Sequence, residues 1–95
     1  MEVLVMKNKE YYIQKYEDRM MEIYNEFRDD NIKNMDEFCT RHFDETANAE
    51  EVVGYYYTHY GWNPLKHWME NTEHIEMTEQ DKEVTEILGK LESVL

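Results

Sequence analysis

Between Asn48 and Met69 the chain reads NAEEVVGYYYTHYGWNPLKHWM, and this stretch limits the available folds more than any other. It gathers Tyr55, Tyr56, Tyr57, Tyr60, Trp62 and Trp68 with Gly54, Gly61 and the only proline, Pro64. Asn48 is a good N-cap residue and Glu51 stands three positions on, so each side chain can accept from the other's free backbone N–H. Val52, Val53, Tyr56, Tyr57 and Tyr60 then recur at helical spacing, and Gly61 is expected to stop the helix. Asn63-Pro64 starts another at once, with Pro64 at the first helical position, where its missing N–H costs nothing. Leu65, Trp68 and Met69 are expected to face inward from it. A tight aromatic corner between two helices is therefore the predicted nucleus of the core.

The flanking segments repeat the helical signal. From about Asn8 to Asp30, Ile13, Tyr16, Met20, Ile23 and Phe27 recur every three or four residues, which predicts a helix with one buried seam. Lys9, Glu10, Glu17, Asp18, Glu22, Glu26 and Arg28 fall on its solvated face. Asp29-Asp30-Asn31 closes it poorly, because acids at a helix C-terminus oppose the dipole. Asn34 and Glu37 form a second capping pair, opening a helix from Met35 to about Thr46 with Met35, Phe38, Cys39, His42 and Phe43 inward. A connector or a frayed helix end follows Met69. Thr78 and Asp81 then cap a last helix with Val84, Ile87, Leu88, Leu91 and Leu95 on its apolar side. Gly89 inside that helix costs about 1 kcal/mol relative to Ala, and close packing against a neighbour is the expected reason. Residues 1–6 admit a short strand. No repeat or linker divides the chain, so the expectation is one all-α domain of four to five helices over residues 1–95.

Composition removes several function classes. With 22 acids against 10 bases the formal net charge is −12, and the acids are interleaved with apolar periodicity instead of forming a tail. Such a surface repels nucleic acid and anionic membrane and attracts basic partners. One cysteine excludes an intramolecular disulfide. No stretch reads as a signal peptide or approaches the roughly 20 apolar residues of a membrane span, so a cytoplasmic protein is expected. Cys39, His42, His59, His67 and His74 lack the paired spacings of a zinc or di-iron site, and no cofactor is expected. No nucleophile elbow, oxyanion-hole signal or phosphate-cradling loop is present, and Cys39 sits on an apolar face that raises its pKa; the chain is not expected to be an enzyme. Tyr55, Tyr56, Tyr57 and Tyr60 could stack on bases, but no Lys or Arg lies between Arg41 and Lys66 to hold a nucleic-acid backbone.

The absence of bases from residues 42–65, and again from 67–81, can work in the opposite sense. Residues 67–81 carry Glu70, Glu73, Glu76, Glu79 and Asp81 without a Lys or Arg. Acids three or four apart on a helix lie about 5–6 Å from one another, while duplex DNA carries one charge per about 1.7 Å of axis, so a rigid carboxylate array can fill a groove built for phosphates. The run from Asp36-Glu37-Phe38 through Ala47-Asn48-Ala49, Val52-Val53 and Tyr55-Tyr56 resembles phage Ocr-type antirestriction proteins, in which an acidic helix, an Ala/Asn-containing turn and a Val followed by a Tyr-Tyr pair occur in this order. That resemblance implies a small acidic helical mimic of bent DNA that blocks a restriction enzyme. Trp62-Asn63-Pro64 and the absence of a long acidic tail depart from that group, and no contact residue transfers from it. Some anti-CRISPR proteins share the composition. The expected partner is thus the basic groove of a nucleic-acid-handling protein, a restriction or CRISPR-type nuclease, in a host cytoplasm if the chain is phage-encoded. The expected contacts are Glu45, Glu50, Glu51, Glu70, Glu73 and Glu76, then Asp29 and Asp30, with Tyr57 and Tyr60 adding apolar contact. The alternative is a helical adaptor or oligomerisation module that binds a partner helix through an aromatic groove around Tyr57, Tyr60, Trp62 and Trp68; a homodimer is compatible with both.

Overall fold

The computed structural model describes residues 7–94. The short strand considered for residues 1–6 and the inward position of Leu95 lie outside the described residues. Among the described residues five helices follow one another: α1 Lys9–Phe27, α2 Met35–Thr46, α3 Ala49–His59, α4 Pro64–Thr72 and α5 Glu79–Val94. No strand occurs among the described residues. The fold is all-α.

Local chemistry sets most of the boundaries. The Asn8 side chain accepts from Tyr11 N–H and starts α1. Asn34 accepts from Glu37 N–H at 3.3 Å and starts α2. At α3 the pairing is reciprocal, Glu51 N–H to Asn48 Oδ1 at 2.9 Å and Asn48 N–H to Glu51 Oε1 at 3.0 Å. Thr78 and Asp81 repeat that exchange at α5, with bonds of 3.0 and 3.1 Å. Each cap satisfies N–H groups that a helix start leaves without partners.

The ends depart from expectation in instructive ways. Helix α1 stops at Phe27, not Asp30, because Asp30 N–H turns back to Phe27 O and Asn31 takes a left-handed φ of 54°, a conformation that asparagine tolerates better than most residues. Gly61 does not end α3 by a left-handed turn, since no glycine has positive φ; Tyr60 caps it, donating its N–H to Tyr56 O. Helix α4 runs beyond Met69 to Thr72. Its buried stripe is Trp68 and Thr72, while Met69, about 100° further round than Trp68, is 46% exposed and not inward.

Helix α3 is the centre, packed against α1, α4 and α5; α2 lies on α1, and α4 also packs on α5. The larger core joins Tyr12 of α1, Ala49, Val53, Tyr56 and Tyr57 of α3, Trp68 of α4, and Val84, Leu88 and Leu91 of α5. The smaller joins Ile23 of α1 with Cys39 and Phe43 of α2 and the following Ala47. Val52 and Tyr55 pack against both clusters. Ile23, Val53, Val84 and Leu88 are the most completely buried, each contributing about 1.5–3 kcal/mol by leaving water.

Close helix contact occurs at a different glycine from the one expected. A Cβ on Gly54 would run into the Tyr12 carbonyl oxygen and lie 2.7 Å from the Tyr16 Cβ, so α1 and α3 approach with nothing between their backbones. Gly89 has no atom within 4 Å of its hypothetical Cβ. The packing reason expected for Gly89 does not hold.

Candidate acidic binding surface

The predicted acids occupy separate parts of this frame. Asp29 and Asp30 lie in the α1–α2 turn, Glu45 in the last turn of α2, Glu50 and Glu51 in the first turn of α3. Glu70 is near the end of α4, Glu73 is its C-cap, and Glu76 follows in the connector to α5. Asp29, Asp30, Glu45, Glu70, Glu73 and Glu76 are exposed, as carboxylates offered to a partner must be.

Two of the acids serve the fold. Glu50 accepts from the Tyr11 hydroxyl at 3.1 Å and pairs with Lys7 at 3.3 Å, tying the start of α3 to the start of α1. The Tyr11 hydroxyl, then Glu50, hold the Lys7 ammonium above the ordinary lysine range. Glu51 is half of the α3 capping box and stands 3.8 Å from the Arg19 guanidinium. Their carboxylates are engaged within the chain; spacing reveals the Asn48 partner of Glu51 but not Lys7, Tyr11 or Arg19, which come from far away in sequence.

Several bases are similarly committed. Arg41 reaches Glu37 at 3.1 Å, Lys90 reaches Glu86 at 2.9 Å, and Lys66 and Lys82 approach Glu70 and Glu79. Lys90 also holds the Glu86 carboxyl below the usual range by its hydrogen bond. Exposed pairs of this kind contribute only about 0–1 kcal/mol each. Their larger effect is to neutralise bases in place, leaving Asp29, Asp30, Glu45 and Glu76 with no ion-pair partner among the described residues. Among the described residues Glu73 pairs only with His74, at 2.9 Å.

The tyrosine expectations divide. Tyr60 is half-buried and stacks on His67 with ring centroids 4.2 Å apart, leaving an edge available. Tyr57 is 6% exposed, and its hydroxyl is buried without a hydrogen-bond partner among the described residues. It belongs to the larger core and cannot serve as a surface contact. Trp68 is also buried, donating its indole N–H to Thr85 Oγ1 at 2.8 Å. The aromatic groove expected around Tyr57, Tyr60, Trp62 and Trp68 is therefore not a groove: two of its four walls are core. Trp62 alone projects, at 83% exposure, with its ring edge-on to His67.

His42, His59, His67 and Cys39 have packing roles, while His74 is exposed. His42 stacks on Phe38 and meets Phe27 edge-on; His59 contacts Tyr16 and Tyr55, its Nε2 lying 3.3 Å from the Tyr16 hydroxyl. Burial, then Asp36, pushes the Cys39 thiol up, away from a reactive thiolate. No group of three or more His, Cys, Asp or Glu capable of holding a metal ion occurs among the described residues. No helix among them is long and apolar enough to cross a membrane.

One apolar surface escaped the sequence reading. Met21 is 61% exposed and Tyr24 49% exposed, and both line a shallow open hollow on α1 with Tyr16, Glu17 and Met20. A second hollow lined by Tyr16, Met20, Phe43, Tyr55 and His59 adjoins it. Asp44 stands near enough to raise the Tyr16, Tyr55 and Tyr56 hydroxyl pKa values, though burial is the larger cause for each. The detectable signal was that Met21 and Tyr24, three apart, fall off the seam of α1.

No protein family matches this sequence, and no curated protein or solved structure matches it either.

Proposed function

We propose that this chain is a non-enzymatic inhibitor that occupies the basic groove of a nucleic-acid-handling protein, a restriction or CRISPR-type nuclease, in place of the nucleic acid. The observation that supports this reading is a net charge of −12 on a helical frame where Lys7, Arg19, Arg41, Lys66, Lys82 and Lys90 are tied to acids of the same chain, while Asp29, Asp30, Glu45 and Glu76 carry no such partner among the described residues. The resemblance of residues 36–56 to Ocr-type proteins agrees with it. Glu70 and Glu73 complete the contact set, each opposed only by a side chain of its own segment. Association is fast and strongly salt-dependent in this mechanism, because long-range charge steering is screened over about 8–10 Å at physiological salt.

The test is an affinity capture from host lysate, washed at about 0.1 M and then about 0.5 M salt, followed by inhibition assays on the retained enzyme. Release of a nuclease by salt or by competing duplex DNA is expected. Charge reversal at Glu70, Glu73 and Glu76 together is expected to weaken inhibition by at least tenfold, about 1.4 kcal/mol or more. Inhibition indifferent to reversal of these three together with Asp29, Asp30 and Glu45 sinks the reading.

A second reading is an adaptor that binds through apolar surface, favoured by the projection of Trp62. It requires binding that survives the higher salt wash, since apolar burial is not screened.

A further inference from the structure

The exposed face of α1 has an internal symmetry. Glu17, Met21, Tyr24 and Arg28 follow at steps of four, three and four, which places them in one row along the helix. The order is acid, apolar, apolar, base. All four are exposed, and neither Glu17 nor Arg28 has an ion-pair partner among the described residues. Reversing the row exchanges acid for base and leaves the apolar pair in the middle. We propose that this row pairs with its own copy, α1 lying antiparallel to α1 of a second chain across a two-fold axis at positions 22 and 23.

In that arrangement Met21 of each copy meets Tyr24 of the other, and Glu17 of each copy stands level with Arg28 of the other. The interface is isologous, so each attractive pair occurs twice. At 1.5 Å per residue the two Glu17 carboxylates stand about 16 Å apart along the axis, more than a Debye length at physiological salt. Asp29 lies beyond the end of α1, in the turn to α2, and is not part of the row. The apolar centre is the exposed Met21 and Tyr24, with the hollow formed by Tyr16 and Met20 available to the incoming Tyr24 ring. A foreign basic helix would meet Glu17 favourably but would be opposed by Arg28. The mixed ends therefore favour a second copy over a uniformly basic partner.

This proposal is independent of the nuclease-groove reading, and salt separates the two. Each chain carries −12, so bringing two together sets a large mutual repulsion against two local ion pairs. Raising salt from about 0.05 M to 0.5 M screens the repulsion and is expected to tighten the dimer, whereas it releases a groove-bound partner.

Sedimentation equilibrium of the full chain, up to about 1 mM, measures the association directly. E17R and R28E are each expected to weaken it about tenfold, since two attractive pairs become two repulsive ones. The double variant E17R/R28E is expected to return to near the parent value. M21S/Y24S is expected to abolish association. All four positions are exposed, so unchanged helicity by circular dichroism checks that folding is intact. A chain that stays monomeric at every salt concentration overturns the proposal. So does a dimer that E17R tightens and R28E weakens, which is the signature of net charge alone, or one that M21S/Y24S leaves unchanged.

Discussion

Gly54 and Gly89 sit in helices and differ only in what surrounds them, so they make a controlled pair. At Gly54 a methyl group would collide with the Tyr12 carbonyl, a backbone atom that can give way only if α1 and α3 separate. Gly54→Ala should gain up to about 1 kcal/mol of helix propensity and lose more than that in overpacking, for a net destabilisation of about 1–3 kcal/mol. At Gly89 the methyl meets nothing within 4 Å, and only the propensity gain remains. Gly89→Ala should therefore stabilise by about 0.5–1 kcal/mol. Urea unfolding of both variants checks the contrast; equal signs would contradict the packing described. No reading of sequence separates these two glycines, because the distance between α1 and α3 is a property of the fold and not of either helix.

At the scale of elements, what was legible was what is local. The caps at Asn34, Asn48 and Thr78 could be read because both partners lie within three residues, and all three helix starts fell where those pairs place them. Asn48→Ala should cost about 1 kcal/mol, since it removes the side-chain acceptor of the Glu51 N–H while the backbone N–H of residue 48 keeps its bond to Glu51; thermal unfolding is the check, and Asn48→Asp should restore most of the loss. Orientation was less legible. Tyr55, Tyr56 and Tyr57 point in three directions about 100° apart, and Tyr57 was placed both on the apolar stripe of α3 and among the partner contacts, since the chain alone does not tell which sides of α3 are covered. Helix α3 is covered by α1, α4 and α5, so Tyr57 is buried and Tyr55 partly so. The contacts of Glu50 and Glu51 with Lys7, Tyr11 and Arg19 were hidden for the same reason, since those partners lie far away in sequence.

For the molecule as a whole, the burial of so many tyrosines has a consequence for alkaline stability. Tyr12, Tyr16, Tyr55, Tyr56 and Tyr57 all have pKa values raised, with burial the leading cause for each. In the unfolded chain they ionise near the ordinary value of about 10. Below that pH both states carry the proton and stability is complete. As pH rises from about 10 through the higher folded values the unfolded chain releases protons that the folded one retains, so stability falls. Helix loss should then accompany the ionisation of these five tyrosines above about pH 10; all the tyrosinate absorbance developing while helicity persists would count against the packing. A different consequence follows from the division into two clusters bridged by Val52 and Tyr55. Helix α2 packs chiefly on α1 and takes no part in the larger core, so it can detach while α1, α3, α4 and α5 stay assembled. Amide hydrogen exchange should show two tiers, with α2 amides trading protons through a partial opening well before those of α3, and with an exchange rate that denaturant changes little. The protein would then be a stable four-helix body carrying a fifth helix on a latch.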